Sequence, residues 1–486
     1  MFTFPNYFII IFIIKFWRRL KISETRKEAD SIGALEVPAE AYYGVQTLRG
    51  HNNFQISGNK VNFSFIKNVV RIKKSCAIVN GKYNYIDPTV ADAIVKACNE
   101  IIKGKFKGEF ITDAIQGGAG TTMNMNVNEV IANRANELLG GKKGVYDLCH
   151  PNDHVNRAQS TNDVIPTAGK LTVIELSQDL LANLKKLISA LEKKAVEFDK
   201  IIKMGRAQLE DAVPIRLGQE FASYASCLSR DLNRISHTLN EMHTVNLGGT
   251  AIGTAVNTGV EFFENITGEL SAVTGYGIVR ADNLIDSTQN LDCFVNMSSS
   301  LKTCAVNLSK MCNDLRLMAS GPKTGFEEIV LPAKQNGSSI MPGKINPVIP
   351  EVVSQVAYAV IGNDTTITLA AEAGQLELNA FEPVIFYKLF ESITCLTNAV
   401  NTLTENCIKG IAANKQHCED LVYSSVGIVT ALCPYIGYKK SAELAKEALA
   451  KNVKIKDLVL SYGLMDEKMI DSILDPYAMT EAPKKQ

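Results

Sequence analysis

The sequence lacks an excess of charge of either sign, because its 51 Lys and Arg residues are balanced by 51 Asp and Glu residues. Proteins that bind nucleic acids or anionic membranes through a basic surface depend on a surplus of Lys and Arg. The composition therefore argues against a nucleic-acid partner and against a stable membrane partner of that kind. A small anionic substrate is still compatible, since one lysine in one pocket does not show in the total.

Paired cysteines and the common cofactor motifs are missing as well. The 11 cysteines are odd in number and form no Cys-x-x-Cys pair. Free thiols in a reducing cytoplasm explain this better than a disulfide framework or a zinc site. Gly-x-Gly-x-x-Gly, P-loop and His-Glu-x-x-His motifs do not occur. Dinucleotide and P-loop sites lose support, and we expect no metal.

The apolar run YFIIIFIIKFW at 7–17 is too short for a transmembrane helix, which takes about 20 residues. A signal peptide carries its charge before the apolar run, whereas here the basic RRLK follows it. We expect residues 1–26 to be a non-core N-terminal extension. A membrane tether and a signal peptide are the alternatives, in that order.

Long amphipathic helices are what the sequence does contain. In three segments, apolar residues recur at steps of three and four, which is the period of one helix face. The first stripe is Leu176, Leu180, Leu184, Leu187, Leu191, Ala195 and Phe198. The second is Leu217, Phe221, Tyr224, Leu228, Leu232, Ile235, Leu239 and Met242. The third is Leu291, Phe294, Leu301, Leu308, Met311, Leu315 and Met318.

Prolines and glycines mark where these helices are predicted to start and stop. Pro166 and Pro214 are predicted at helix starts, where proline is tolerated, and Gly321-Pro322 is predicted as a stop. Two further helices are predicted at 350–373 and 382–408. A helix of about 30 residues is about 45 Å long, more than a compact domain requires. The pattern therefore predicts an elongated bundle that other subunits continue.

The sequence predicts an all-α protein with three folded regions. Short helices and glycine-rich or asparagine-rich loops fill 27–163, and the long-helix bundle occupies 164–408. A small, more charged helical region follows at 409–486. Strands do not alternate with helices anywhere in the pattern, which argues against a doubly wound fold.

Five polar, glycine-rich stretches interrupt the helical pattern. They are QGGAGTTMNMNVNEV (116–130), HPNDHVNRAQSTNDV (150–164), GRAQLEDAVP (205–214), GGTAIGTAVNT (248–258) and GSSIMPGKINPVIPE (337–351). Glycines let backbone N–H groups approach a ligand, and Ser, Thr and Asn offer neutral donors to carboxylate oxygens. Donors in such number suit an anion that gains charge during a reaction.

The stretch at 337–351 shows most clearly how its residues would bind an anion. Its prolines and Glu351 predict the start of a helix, so Lys344 and Asn346 lie just before a helix N-terminus. That end is partly positive and favours anions. Taken alone, Lys344 is better explained as a solvated lysine. Ser160-Thr161-Asn162 alone is better explained by helix capping.

The segment GSSIMPGKINP resembles the GSSxMPxKxNP signature of the fumarase/aspartase superfamily. Further matching segments include VPAEAYYGVQTLRG (37–50), QSTND, KMGRAQLEDAVP, NLGGTAIGTAVNT and SSVGIVTALCPYIGY. The resemblance runs over nearly the whole chain from about residue 31. AVIGNDTTITLAAEAGQLELNAFEPV (359–384) and MCNDLRLMASGP (311–322) are similar to the aspartase branch, and Gln208 also fits it.

This resemblance implies the fold and the reaction together. It implies a three-domain, all-α fold whose central helices assemble across a homotetramer, with active sites shared between subunits. It also implies reversible deamination of L-aspartate to fumarate and ammonia without a cofactor. The β-carboxylate would pass through an aci-carboxylate form that carries extra negative charge.

The resemblance further implies roles for single residues. Ser338 would be the general base that removes the Cβ proton. Thr121, Ser160, Thr161 and Ser339 would hold the β-carboxylate, Lys344 and Asn346 the α-carboxylate, and Asn162 with Gln208 the amine. The loop around Ser338 would close over the substrate.

The chain departs from the family's pattern at two positions. Thr122 stands where the family usually has serine, a change that keeps a hydroxyl. Ala207 stands where the family has threonine, so a hydroxyl expected near the substrate amine is missing. Two alternatives therefore stay open: a fumarase-like hydratase, and a catalytically silent scaffold of the same fold.

Overall fold

The computed structural model describes residues 24–481, and most of them are helical. The first helices are α1 (Val45–Asn53), α2 (Phe63–Lys82), α3 (Pro88–Ile102) and α4 (Thr121–Leu138). The middle of the chain forms α5 (Thr161–Glu197), α6 (Leu217–Leu239), α7 (Val260–Thr274), α8 (Leu284–Gln289), α9 (Asp292–Met318), α10 (Val348–Glu372) and α11 (Glu382–Asn406). The last helices are α12 (Lys415–Ser424), α13 (Cys433–Ile436), α14 (Tyr438–Lys451), α15 (Ile455–Ser461) and α16 (Glu467–Ile473).

Within residues 24–481, the strands are short and pair only in twos. The antiparallel pairs are β1 (Thr25–Ala29) with β2 (Ala34–Pro38), β3 (Ile202–Ala207) with β4 (Glu210–Arg216), and β7 (Ile329–Val330) with β8 (Ala412–Ala413). One parallel pair joins β5 (Thr244–Val245) to β6 (Val279–Arg280). The predicted all-α class is confirmed, with small two-stranded pairs added to it.

The three predicted apolar stripes lie on α5, α6 and α9, except for Phe198, Met242 and Leu291, which lie just beyond the helix ends. Leu184 and Leu191 of α5, Phe221 and Ile235 of α6, and Leu308 of α9 are each 0% exposed. The helices predicted at 350–373 and 382–408 are α10 and α11, with ends within two residues of the prediction. Burial of one face explains why the 3.6-residue period was readable from the sequence alone.

Both predicted proline positions were wrong. The helix that contains Pro166 starts earlier, at Thr161, so the proline lies inside α5. Pro166 cannot donate to the carbonyl of Asn162 four residues before it, and Asn246 Nδ2 donates to that carbonyl instead, at 3.0 Å. Pro214 lies within β4, opposite Met204 of β3. Proline is tolerated there because the sheet has only two strands, and both are edges.

The folded core begins earlier than the predicted boundary at residue 26. Residues 1–23 of the expected extension lie outside the described residues, but Thr25 and Arg26 belong to β1. The Arg26 guanidinium donates to the carbonyls of Pro38, Ala39, Ala41 and Tyr43 at 2.8 to 3.0 Å. Arg26 is therefore structural, and that part of the prediction was wrong.

The chain forms two compact units, each built from separate stretches. Unit 1 contains 24–175, 240–295 and 366–390, and unit 2 contains 176–239, 296–365 and 391–481. In unit 1, the rings of Phe65, Phe294 and Phe390 pack around Phe386 at centroid distances of 5.1 to 5.8 Å. The predicted boundaries of the long-helix bundle, after residue 163 and after residue 408, stay a prediction.

Unit 2 has a core of its own near the C-terminus. Ile202 and Met204 of β3 pack with buried residues of the last helices. Those residues are Val422, Ile428, Leu432, Leu444, Ala448, Ile455, Leu458, Val459, Ile470 and Leu474. The hairpin β3–β4 is thus attached to the helices that follow α11. None of the described helices is long and apolar enough to span a bilayer.

Candidate active site

Four of the predicted site residues lie in unit 1, at the first turns of two helices. Thr121 begins α4, and Ser160, Thr161 and Asn162 form the start of α5. Asn124, one turn into α4, donates from Nδ2 to Thr161 Oγ1 at 3.3 Å and so joins the two helix starts. Helix N-termini carry partial positive charge and free N–H groups, so this junction favours an anion.

Ser160 and Asp163 form a capping box at the start of α5. Ser160 Oγ accepts from the Asn162 backbone N–H at 3.2 Å, and Asp163 Oδ1 accepts from the Ser160 N–H at 2.9 Å. Reciprocal bonds of this kind satisfy two of the donors that a helix start leaves unpaired. The capping hypothesis is confirmed for Ser160. Its hydroxyl oxygen accepts the cap bond, which leaves the hydroxyl proton for a ligand.

Asp163 also fixes the neighbouring turn after β5. Its Oδ2 accepts from the N–H groups of Gly248 at 3.1 Å and Thr250 at 3.0 Å. Asn162 Nδ2 donates to Ala251 O at 2.7 Å, which adds a third bond to the same turn. Burial raises the pKa of Asp163 to about 6 despite these bonds and nearby Lys73. Three hydrogen bonds therefore join the turn to the start of α5.

A buried lysine supports the same segment from α2. Lys73 is 0% exposed, and its Nζ donates to Asn156 Oδ1 at 2.7 Å. Asn156 Oδ1 also accepts from Asn124 and Asn128 of α4, at 3.3 and 3.1 Å. Burial lowers the pKa of Lys73 to about 8. Asn156 thereby links the segment just before Ser160 to both α2 and α4 by hydrogen bonds.

The other predicted site residues lie in unit 2, most of them on a loop before α10. An antiparallel bridge pairs Asn336 with Ile345 and closes this loop at its base. Gly337 N–H donates to Lys344 O at 2.8 Å, and Asn346 Nδ2 donates to Gly337 O at 2.7 Å. A Cβ at Gly337 would lie 2.4 Å from Lys344 O, so only glycine fits there.

Ser338 receives two backbone hydrogen bonds at the tip of this loop. The N–H groups of Ile340 and Met341 donate to Ser338 Oγ at 3.1 and 3.0 Å. Hydrogen bonds to an oxygen favour its charged form. The loop thus directs two donors at the hydroxyl that the resemblance identifies as the base.

Lys344 and Ser339 are exposed on the same loop. Among residues 24–481, no side chain or carbonyl accepts a hydrogen bond or ion pair from the Lys344 ammonium group. Helix α10 starts at Val348, two residues before the predicted start. Lys344 and Asn346 therefore precede a helix N-terminus, as predicted. Ser338 and Asn346 are brought together through Gly337, and Lys344 lies beside them through its carbonyl.

Gln208 lies at the tip of the β3–β4 hairpin, although the segment 205–214 was expected to be a loop. The tip is a two-residue turn in which Gln208 has φ 58° and Leu209 has φ 68°. The Arg206 guanidinium donates to Glu328 Oε1 at 2.6 Å just before the tip. Glu328 is completely buried and precedes β7, from which the Ser338 loop starts.

Sequence reasoning missed Asn124, Asp163, Lys73 and Glu328. A usable signal existed for Asp163, because Ser-x-x-Asp before an apolar run is a capping box. Asn124 stood in the recognised NMNVNEV stretch, but nothing there showed which asparagine faces Thr161. Lys73 and Glu328 carry no local signal, because their partners lie 83 and 122 residues away. Within the described part of the chain, no cluster of His, Cys, Asp and Glu side chains could hold a metal ion.

Comparisons with known proteins agree over most of the chain. A family model described as "Lyase" matches residues 33–362, and one described as "Fumarase C C-terminus" matches 428–481. An aspartate ammonia-lyase of Bacillus sp is 50% identical over 94% of this chain and 98% of its own length. The aspartate ammonia-lyase of Escherichia coli K12 is 48% identical over 92% of this chain and 94% of its own length.

Solved structures show the same similarity. A fumarate lyase:delta crystallin from Brucella melitensis bound to cobalt has a TM-score of 0.92 and 46% identity, covering 94% of this chain and 100% of that chain. A class II fumarase from Schistosoma mansoni has a TM-score of 0.91 and 35% identity, covering 94% of this chain and 99% of that chain.

Proposed function

Because the chain belongs to the fumarase/aspartase superfamily of lyases, we propose that it catalyses the reversible elimination of ammonia from L-aspartate to give fumarate. The observation that carries the proposal is the pair of backbone N–H groups directed at Ser338 Oγ. A serine hydroxyl is a poor base unless its alkoxide is stabilised, and two amide donors supply such stabilisation.

Proton removal from Cβ places extra negative charge on the β-carboxylate. Ser160 and Thr161 supply hydroxyl donors to that charge at the joined starts of α4 and α5, together with Ser339. The Thr121 hydroxyl donates to Gly118 O at 2.7 Å, so it joins these donors by exchanging that bond for one to the substrate. Each preorganised donor to a developing oxyanion contributes roughly 3 kcal/mol to lowering the barrier. Several such donors therefore account for much of the catalysis without a metal or a cofactor.

Lys344 and Asn346 bind the α-carboxylate. Lys344 carries an ammonium group that no described residue neutralises, and both residues precede the N-terminus of α10. Asn346 uses one amide hydrogen on Gly337 O, and its second hydrogen remains for a carboxylate oxygen. A cation and a helix end together give a carboxylate its charge partner.

Asn162 and Gln208 position the amine. Asn162 donates from Nδ2 to Ala251 O, so its side-chain oxygen is the group that remains to accept from an ammonium group. Gln208 offers the same kind of oxygen at the exposed tip of β3–β4. Amide oxygens are suited to this because an ammonium group has three donors and no acceptor.

We infer a homotetramer in which each active site combines residues of different subunits. The support is an apolar surface on α10, where Val352, Tyr358 and Ile361 are 41%, 60% and 36% exposed. A helix with apolar residues on both faces indicates burial against a further partner. Light scattering tests this, and a stable, active monomer would refute it.

The 11 cysteines are all free thiols, which supports a cytoplasmic location. The reaction is tested by following fumarate absorbance after addition of L-aspartate, and separately of L-malate. Fumarate from L-aspartate alone is the expected result. Fumarate from L-malate alone would favour a hydratase, and fumarate from neither would favour a silent scaffold.

A further inference from the structure

The tip of the β3–β4 hairpin is held in an unfavourable backbone conformation. Gln208 and Leu209 both have positive φ, at 58° and 68°. A two-residue turn of this kind normally uses Asn-Gly or Asp-Gly, because side chains disfavour left-handed backbone. Non-glycine residues in such positions persist where the surroundings enforce them, often at functional sites.

Two polar anchors enforce the turn, one on each strand. On β3, Arg206 donates to the buried Glu328 at 2.6 Å, with its guanidinium 4.2 Å from the Phe326 ring centroid. On β4, Ser425 Oγ donates to Asp211 Oδ2 at 2.7 Å. The residues between the anchors, Ala207 to Glu210, are all exposed. The hairpin therefore presents four side chains from a fixed base.

Ala207 and Glu210 are direct cross-strand neighbours. Side chains in such a pair point to the same face, with Cβ atoms about 5 Å apart. The alanine methyl group is short, so the longer Glu210 side chain extends past it on that face. Within residues 24–481, the Glu210 carboxylate has no hydrogen-bond or ion-pair partner, whereas the adjacent Asp211 is engaged by Ser425.

We propose that Glu210 determines specificity by accepting the substrate's ammonium group next to Gln208. The inference rests on the proposed function, because it assigns a partner to the amine of the same substrate. A carboxylate attracts an ammonium group both by opposite charge and by hydrogen bonding, whereas a neutral hydroxyl offers it a hydrogen bond alone. Glu210 therefore selects an amino acid over the corresponding hydroxy acid, and it fills the role that a hydroxyl at residue 207 would have had.

The reverse reaction separates this role from a structural one, because fumarate and ammonium are added independently. Glu210→Gln keeps the size of the side chain and removes its charge. We expect the variant to raise the KM for ammonium at least about fivefold, the lower range for a partly screened charged hydrogen bond. The KM for fumarate should stay within about twofold, since fumarate has no amine.

Glu192→Gln is the matched control, since Glu192 is an exposed glutamate of unit 2 that has no hydrogen-bond or ion-pair partner among residues 24–481. It should change neither KM, and neither variant should shift the thermal midpoint. Ala207→Thr in the Glu210→Gln background should recover part of the ammonium affinity, since the hydroxyl supplies an acceptor on the same face.

The proposal is overturned if Glu210→Gln leaves the KM for ammonium unchanged, or if it raises both KM values together. Either result, in an enzyme that converts L-aspartate, removes only the role of Glu210. A wild-type protein that forms no fumarate from L-aspartate would refute the proposed function itself.

Discussion

The Arg206 guanidinium lies 2.6 Å from the Glu328 carboxylate, which is completely buried. Lys203 Nζ lies 3.0 Å from the other Glu328 oxygen and equally close to Glu220. One carboxylate thus joins β3, which leads to Gln208, to the chain just before β7, which leads to Ser338. The backbone carbonyl of Glu328 also accepts from the Asn414 N–H at 2.9 Å, so the start of α12 joins the same cluster.

Glu328→Gln should destabilise the protein by roughly 3 kcal/mol, because the buried Lys203 and the partly buried Arg206 lose the charge that pairs them. Chemical denaturation measures the loss. Glu405→Gln is the control, since Glu405 pairs with Lys409 on an exposed surface and should change stability by less than about 1 kcal/mol. Equal effects of the two variants would argue against a special role for Glu328.

Arg26→Ala should destabilise the N-terminal part of unit 1, because four backbone carbonyls lose their donor. An unsatisfied buried polar group costs roughly 1 to 3 kcal/mol. Lys27→Ala serves as the control, since Lys27 is the exposed neighbour of Arg26 in β1. The thermal midpoints of the two variants are measured by denaturation. An unchanged midpoint for Arg26→Ala would show that Arg26 belongs to a non-core extension, as the sequence predicted.

Lys344→Ala should mainly raise the KM for L-aspartate, by roughly tenfold or more, since a carboxylate loses a charged hydrogen bond. The turnover number should change less, because the chemical step lies at the other end of the substrate. Lys334→Ala tests for a general charge effect, as Lys334 is an exposed lysine of the same loop. An unchanged KM in Lys344→Ala would exclude the assigned role.

The pKa of Asp163, raised to about 6 by burial, predicts a pH dependence of substrate binding. Below pH 6 the carboxyl gains a proton and accepts fewer of the Ser160, Gly248 and Thr250 N–H bonds. The KM for L-aspartate should therefore rise as the pH falls through about 6, while the substrate carboxylates stay ionised. Asp163→Asn should show a high KM without this transition, and Asp179→Asn, an exposed control, should retain it.

The same shift has a defined sign for stability. The folded protein holds the Asp163 proton more tightly than the unfolded chain does, because its pKa is raised from 3.8 to about 6. The contribution of Asp163 to the free energy of unfolding is therefore largest below about pH 4 and is lost as the pH rises to 6. Comparing wild type with Asp163→Asn across this range measures it, and a difference independent of pH would contradict the assignment.

The sequence predicted the features whose cause is local. The stripes on α5, α6 and α9 were readable because every third or fourth residue faces a core. Lys344 and Asn346 were placed before a helix start because prolines and Glu351 mark it. The Ser338 loop was recognisable as a motif, although its two hydrogen bonds to Oγ were not visible.

The features that the sequence did not predict depend on distant partners. Pro166 is tolerated inside α5 because Asn246, 80 residues further along the chain, donates to the Asn162 carbonyl in place of the N–H that the proline lacks. The hairpin at 205–214 has no Asn-Gly or Asp-Gly signal, because Gln208-Leu209 is held in its turn by Glu328 and Ser425. Distant side chains of this kind cannot be read from local periodicity.

The measurement that tests the account most directly is the rate of fumarate formation from L-aspartate by wild type and by Ser338→Ala, at equal concentrations of intact oligomer. General-base catalysis contributes roughly 100-fold or more, so Ser338→Ala should lose nearly all turnover while its assembly and thermal midpoint stay unchanged. Ser339→Ala, which removes only a proposed binding hydroxyl, should retain turnover with a raised KM. A Ser338→Ala variant that keeps more than about a tenth of wild-type turnover, a loss below about 1.4 kcal/mol, would contradict the assignment of Ser338 as the base.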